Sequence, residues 1–178
     1  MKTITLKNEN IVHVVEEYDI PRYEMRVRDD CSDECEMAIE DVKYCCKIWV
    51  KARDYSNLTN VEGDFDDLAG FQSAIGEEYE AFVLGAYIHS GTSFSISKTG
   101  DHRCRFDSGT LGFIGVPKGT NPDKIAEELT AAWNGEYEGY EIYDNLLDDY
   151  VDSICDYDYN SLEEWKEEAR EKYGVEIK

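Results

Sequence analysis

The sequence predicts an α+β fold, a mixed or antiparallel sheet of about five to six strands packed by three to four helices. Three observations carry that expectation. Short alternating segments occupy the first thirty residues, a long apolar β segment runs from Tyr79 to Ile88, and capped amphipathic stretches lie between such segments.

Taken in order, Thr3-Ile4-Thr5-Leu6 and Ile11-Val12-His13-Val14-Val15 read as strands around a turn at Lys7-Asn8-Glu9-Asn10. Tyr23 to Arg28 alternates as a half-buried strand does. A helix then starts with Asp33 as cap and Glu36 three residues on, and Cys35, Ile39, Val42, Cys46 and Trp49 share one face. Phe65, Leu68, Phe71 and Ile75 suggest a second helix, closed by Gly76. The Tyr79–Ile88 strand turns at Ser90-Gly91-Thr92 into Ser93 to Ser97, and Leu111 to Val116 forms a further strand, ended by Pro117 and Gly119. Asn121-Pro122 opens a helix whose Ile125, Leu129 and Trp133 fall together. The last helix carries Ser161 and Glu164 as a capping box and Leu162, Trp165 and Ala169 as its stripe, and stops at Gly174. No linker or repeat interrupts the 178 residues, so a single domain over 1–178 is expected, with 136–178 its acidic, tyrosine-rich C-terminal part.

Charge is the outlying property. Forty acidic against 18 basic side chains give a formal net charge of −22, whereas small soluble domains do well at a magnitude of about 2 to 8. Self-repulsion of that size works against the compact state. It disfavours direct binding to nucleic acid or to an anionic membrane, and it favours a basic protein partner met through long-range, salt-sensitive attraction. The segment Met1 to Lys7 has no apolar h-region and no run reaches membrane-spanning length, so the chain is expected in the cytoplasm, with Cys31, Cys35, Cys45, Cys46, Cys104 and Cys155 as thiols.

The candidate partner-binding residues lie in the tail: Glu136, Glu138, Glu141, Asp144, Asp148, Asp149, Asp152, Asp156 and Asp158, with Tyr137, Tyr140 and Tyr143 as stacking contacts. On a helix, residues four apart rise about 6 Å, within a factor of two of the 3.4 Å axial rise per phosphate on a DNA strand. A cleft of Lys and Arg that grips phosphates would accept such carboxylates. Tyrosines add rigid contact area and stack on arginine.

Asp107-Ser108-Gly109 followed by Gly112-Phe113-Ile114, a helix, and the acidic tyrosine-rich stretch with Asp152-Ser153 resembles small acidic proteins carried by phages and plasmids of low-GC bacteria. Anti-restriction and anti-CRISPR inhibitors are among them. The resemblance spans roughly residues 104–160. It implies a DNA mimic or cleft-blocking inhibitor of a host nuclease, above all an RNA-guided CRISPR nuclease with its basic channels, in the cytoplasm of the bacterial host. It transfers no catalytic residue.

Other chemistry is thinly signalled. Cys31-x-x-x-Cys35 with His102-x-Cys104 lacks zinc-knuckle spacing, so no metal and no cofactor is expected. Asp156, Asp158, Asn160 and Glu167 match positions 1, 3, 5 and 12 of a calcium loop, but Ser161 stands where the loop needs glycine. The crowded stretch His102 to Ser108 reads as strand and turn, and Gly112-x-x-Gly115 is no phosphate loop. The reading is therefore a non-enzymatic inhibitor. An adaptor that binds a basic partner without competing with DNA is the first alternative, and a metal- or thiol-dependent enzyme the second.

Overall fold

A computed structural model describes the backbone of residues 3–8 and 11–16, and residues 21–100 and 103–175 with their side chains. The fold class is α+β, as the sequence predicts. Nine strands form among the described residues rather than five or six, arranged as two antiparallel sheets and a separate hairpin, with four α-helices. The chain divides into two compact units. One comprises residues 1–28, 139–154 and 160–178; the other comprises 29–138 and 155–159. The two units are interleaved along the sequence.

The discontinuous unit holds β1 (Thr3–Asn8) and β2 (Ile11–Glu16), paired antiparallel from Thr3↔Glu16 to Asn8↔Ile11; Glu9 and Asn10 of the expected turn lie outside the described residues. It also holds the three-stranded sheet of β3 (Tyr23–Arg28), β8 (Glu138–Asp144) and β9 (Asp149–Asp156), in the order β3-β8-β9. Alternation decides which face of this sheet is covered. Met25 and Ile142 point to α4 (Tyr159–Tyr173) and pack with Ala169 and Val175, flanked by Tyr23, Tyr140, Trp165 and Tyr173. Ser161 lies inside the first turn of α4, so the expected capping box does not start this helix. Gly174 does end it, at φ +67, with its N–H on the Arg170 carbonyl.

The second unit is built on a four-stranded antiparallel sheet in the order β4-β7-β5-β6. Its strands are β4 (Lys47–Val50), β5 (Tyr79–Ile88), β6 (Thr92–Ser97) and β7 (Ser108–Pro117). Helices α1 (Ser32–Cys45) and α3 (Pro122–Asn134) serve one face, where Val42, Ile48, Leu84, Phe94, Ile114 and Leu129 form the main core. Helix α2 (Leu68–Ile75) covers the other, where Phe71, Ile75 and Ala81 pack with Trp49 and Phe113. Trp49 therefore belongs to β4 and not to the face of α1, and the cap of α1 is Cys31 and not Asp33. The helix stops because Cys46 turns extended, and Ile48-Trp49-Val50, a β-branched and aromatic run, gains pairing with β7. A bulge opposite Leu84/Gly85 turns Leu111 onto the same face as Ile114, and the freed Leu111 carbonyl accepts from the N–H groups of Lys51 and Ala52. A 3-10 turn over Arg53–Leu58 closes the core, with Tyr55 stacked on Trp133 at 5.0 Å.

Candidate functional site

The acidic tail is mainly strand, where residues on one face recur about every 6.7 Å. Its residues also divide between the two units. Glu141, Asp144, Asp148, Asp149, Asp152, Tyr140 and Tyr143 belong to the discontinuous unit; Glu136, Tyr137, Glu138, Asp156 and Asp158 belong to the other.

In the discontinuous unit several of these groups are engaged internally. Asp144 is buried and bound to Arg22 at 3.1 Å, so its carboxylate is withdrawn from any partner surface. Asp152 accepts from Lys172 Nζ at 2.9 Å and from the Tyr173 hydroxyl at 2.8 Å. Burial works to raise the Asp152 carboxyl, but those two donors outweigh it and hold the group below its ordinary range. Tyr140 is half-buried, with Lys166 Nζ 3.8 Å above its ring. Tyr143 lies under the Arg26 guanidinium at 3.7 Å, meets Tyr150 edge-on at 5.1 Å and donates its hydroxyl to Asp148. The stacking expected with a partner's arginine is thus already made with Arg26. Glu141 is half-buried opposite Arg26 in the register, and Asp148 and Asp149 are exposed.

The exposed carboxylate row of this unit is on α4, at residues outside the expected set. Glu164, Glu167, Glu168 and Glu171 recur at i, i+3, i+4 and i+7 on its exposed face. In the other unit α1 presents a similar face, where Asp33, Glu36 and Glu40 are exposed beside Met37 and Tyr44, which are 64% and 86% exposed. The signal for both was helical period among acids, obscured by the density of acids throughout the sequence. Like charges at such spacing lower helix stability by about 0.2–0.5 kcal/mol per pair. Packing forms these helices in spite of their charge.

The second unit also contains an open cleft of about 810 Å³. Edge strand β6 lines it together with α3 and the segment Tyr157-Asp158-Tyr159. The outward N–H groups of β6 are covered by α3: Asn134 Oδ1 accepts from Thr92 at 3.0 Å and Thr130 Oγ1 from Phe94 at 2.9 Å. Asp123, Glu127, Glu136 and Asp158 give the cleft its charge, against Arg103 and Lys124. Arg103 is fastened by two bonds to Ser93 Oγ and one to its carbonyl, each of 3.2 Å. The Ser95 hydroxyl, also lining the cleft, is buried with no hydrogen-bond partner among the described residues.

Beside the cleft the Tyr137 and Tyr157 rings lie 5.6 Å apart. Burial pushes both hydroxyls up, and the Glu128 carboxylate adds to the effect. Glu128 is itself raised, first by burial and then by Asp41 and Asp156. Asp156 accepts from the Asp158 N–H at 3.0 Å. Of the calcium-loop residues, Asp156 and Asp158 belong to this unit, and Asn160 and Glu167 to the other.

Cys31 and Cys155, 124 positions apart, are joined by a disulfide with their Cα atoms 6.2 Å apart. Six free thiols were expected; this pair corrects that reading, because a fold contact so distant in sequence leaves no spacing signal. Cys35, Cys45, Cys46 and Cys104 are free, and burial pushes the Cys46 thiol up to about 12. His102, of the Cys31/Cys35–His102/Cys104 set weighed against zinc, lies outside the described residues. No described helix is long and apolar enough to cross a membrane.

No protein-family profile matches this chain, and no curated protein or solved structure matches it significantly.

Proposed function

We propose that this protein is a non-catalytic binding protein whose partner is a basic, nucleic-acid-handling protein, and that it inhibits a host nuclease, an RNA-guided CRISPR nuclease or a restriction enzyme, by occupying its nucleic-acid channel. The observation that carries the reading is the exposed row Glu164, Glu167, Glu168 and Glu171, on a chain of net charge −22. Steps of three and four residues along a helix are about 4.5 and 6 Å of rise, a spacing that lysines and arginines arranged for a phosphate track can meet. The Asp33, Glu36 and Glu40 face of α1, with Met37 and Tyr44 beside it, adds apolar contact area to the same kind of surface. Of the tail residues expected to bind, Glu136, Glu138, Asp148, Asp149 and Asp158 are exposed and stay in this proposal; Asp144 leaves it.

The test is a DNA-cleavage assay with a guide-loaded CRISPR nuclease and with restriction enzymes, adding the protein before or after DNA over a range of salt. Inhibition that is strongest when the protein is added first, fades with salt and drops at least about tenfold in the variant Glu164→Lys/Glu167→Lys/Glu168→Lys/Glu171→Lys supports it. Binding to such an enzyme without competition with DNA would favour an adaptor instead. Equal inhibition by the folded variant would remove the α4 row from the site.

A further inference from the structure

We infer that Cys31, Cys155 and Glu34 form a redox-gated site for a thiophilic divalent cation of the zinc class. One donor atom from each residue lies within 4.8 Å of the other two. Cys31 caps α1, Glu34 lies in the first turn of that helix, and Cys155 arrives near the end of β9. All three belong to one unit, so the convergence is fixed by one body of the fold. A tetrahedral cation with metal–sulfur bonds of about 2.3 Å and a metal–oxygen bond of about 2.0–2.2 Å holds its two sulfurs about 3.8 Å apart and each sulfur about 3.6 Å from the oxygen, separations inside the 4.8 Å spread of these donor atoms. Only a small parting of the sulfurs is needed once the bond between them is gone.

The chemistry of the donor set selects the cation. Two thiolates exclude magnesium and calcium and favour zinc, and one carboxylate beside them is a usual third ligand. As thiolates, the three groups would carry three negative charges in a protein already at −22, and a dication relieves that repulsion. A fourth position stays open to water.

The gate is the disulfide. A dithiol reductant donates two electrons and two protons to the bond, giving two thiols while it becomes a disulfide itself. Binding of the dication then releases the two thiol protons. In a reducing compartment the cation-binding form is available; a small-molecule disulfide oxidant takes the two electrons from the thiolates and two protons from solution, leaves as two thiols, re-forms the Cys31–Cys155 bond and so ejects the ion.

The experiment is a cobalt titration of the full chain, metal-free, in its reduced and oxidised forms. The reduced protein is expected to bind one Co²⁺ per chain with a thiolate-to-cobalt charge-transfer band, displaced by Zn²⁺; the oxidised protein shows no such band. Cys155→Ser and Cys31→Ser are expected to lose the band, and Glu34→Gln to weaken binding about tenfold. If a cysteine variant fails to fold, alkylation of the reduced wild-type chain decides: Zn²⁺ is expected to slow modification of Cys31 and Cys155 and leave the exposed Cys45 unchanged. A reduced chain with no charge-transfer band, or equal Co²⁺ binding by both forms, overturns the site. The titration needs no partner protein, so its failure leaves the nuclease reading untouched.

Discussion

Asp144 at the end of β8 holds Arg22, just before β3, through a carboxylate that is 1% exposed and a guanidinium side chain that is 54% exposed. The contact spans 122 positions of sequence and locks the first residue pair of the β3–β8 ladder, Tyr23↔Asp144. The same carboxylate accepts from the N–H groups of Leu146 and Leu147, so it also shapes the turn into β9.

Burial alone would raise the Asp144 carboxyl, but Arg22 and the two turn amides outweigh it and hold the group below the ordinary range. The unfolded chain therefore binds more protons than the folded one as pH falls from about 4 toward the folded value. Stability from this group is complete above about pH 4 and is lost below it. Asp144→Asn is expected to lower the melting temperature by roughly 5 °C at pH 7 and to flatten the acid limb. Thermal melts from pH 2 to 7 check both.

Gly112 of β7 lies opposite Val50 of β4 in the register. A Cβ there would lie 2.0 Å from the Trp49 carbonyl oxygen and 2.8 Å from the Val50 Cα, both backbone atoms that cannot swing aside. Gly112→Ala is expected to cost about 3 kcal/mol in urea unfolding. Gly109→Ala, in the same strand with nothing within 4 Å, is expected to change stability by less than about 0.5 kcal/mol.

Glu128 has the opposite sign from Asp144. Its raised carboxyl, pressed by burial, Asp41 and Asp156, means that the folded state holds the proton more tightly. Stability then falls as pH rises from the unfolded value through the folded one. Glu128→Gln is expected to stabilise at pH 7 by about 0.5 kcal/mol, as a half-buried surface group allows, and to lose that advantage at pH 4. Denaturant midpoints at the two pH values measure it.

The Cys31–Cys155 disulfide closes a loop of 124 positions, for which the chain-entropy account gives about 5 kcal/mol. Reduction in metal-free buffer is expected to lower stability by about 2–5 kcal/mol, and a Cys155→Ser variant to be indifferent to reductant. A wild-type chain indifferent to reductant would show that the bond constrains little.

Local signals in the sequence served well where one residue governed the outcome. Asn121-Pro122 starts α3 with the Asn121 side chain on the Asp123 N–H, and the Tyr79–Ile88 strand has the expected bounds. Non-local pairing was not legible. Nothing near Trp49 shows that β7 waits to pair with it, and helical period alone continues past the end of α1. The alternation of acids and tyrosines from Glu138 to Asp156 is a strand signal, but charged residues mask it when the covering helix arrives later in the chain. The candidate site suffered likewise: composition marked the tail as acidic, whereas Asp144 and Asp152 depend on Arg22 and Lys172 for their place in the fold.

The interleaving of the two units bears on synthesis. Strand β3 is made early, yet its partner β8 begins 110 residues later, and α4 later still. At about 5–20 residues per second, the ribosome leaves β3 without its sheet for about 6–22 s. During that interval residues 29–138 emerge as nearly all of the other unit and have time to fold first. The nascent chain thus exposes one unpaired strand tethered to a largely formed body, the stage at which a chaperone or a second nascent copy would find a template for pairing.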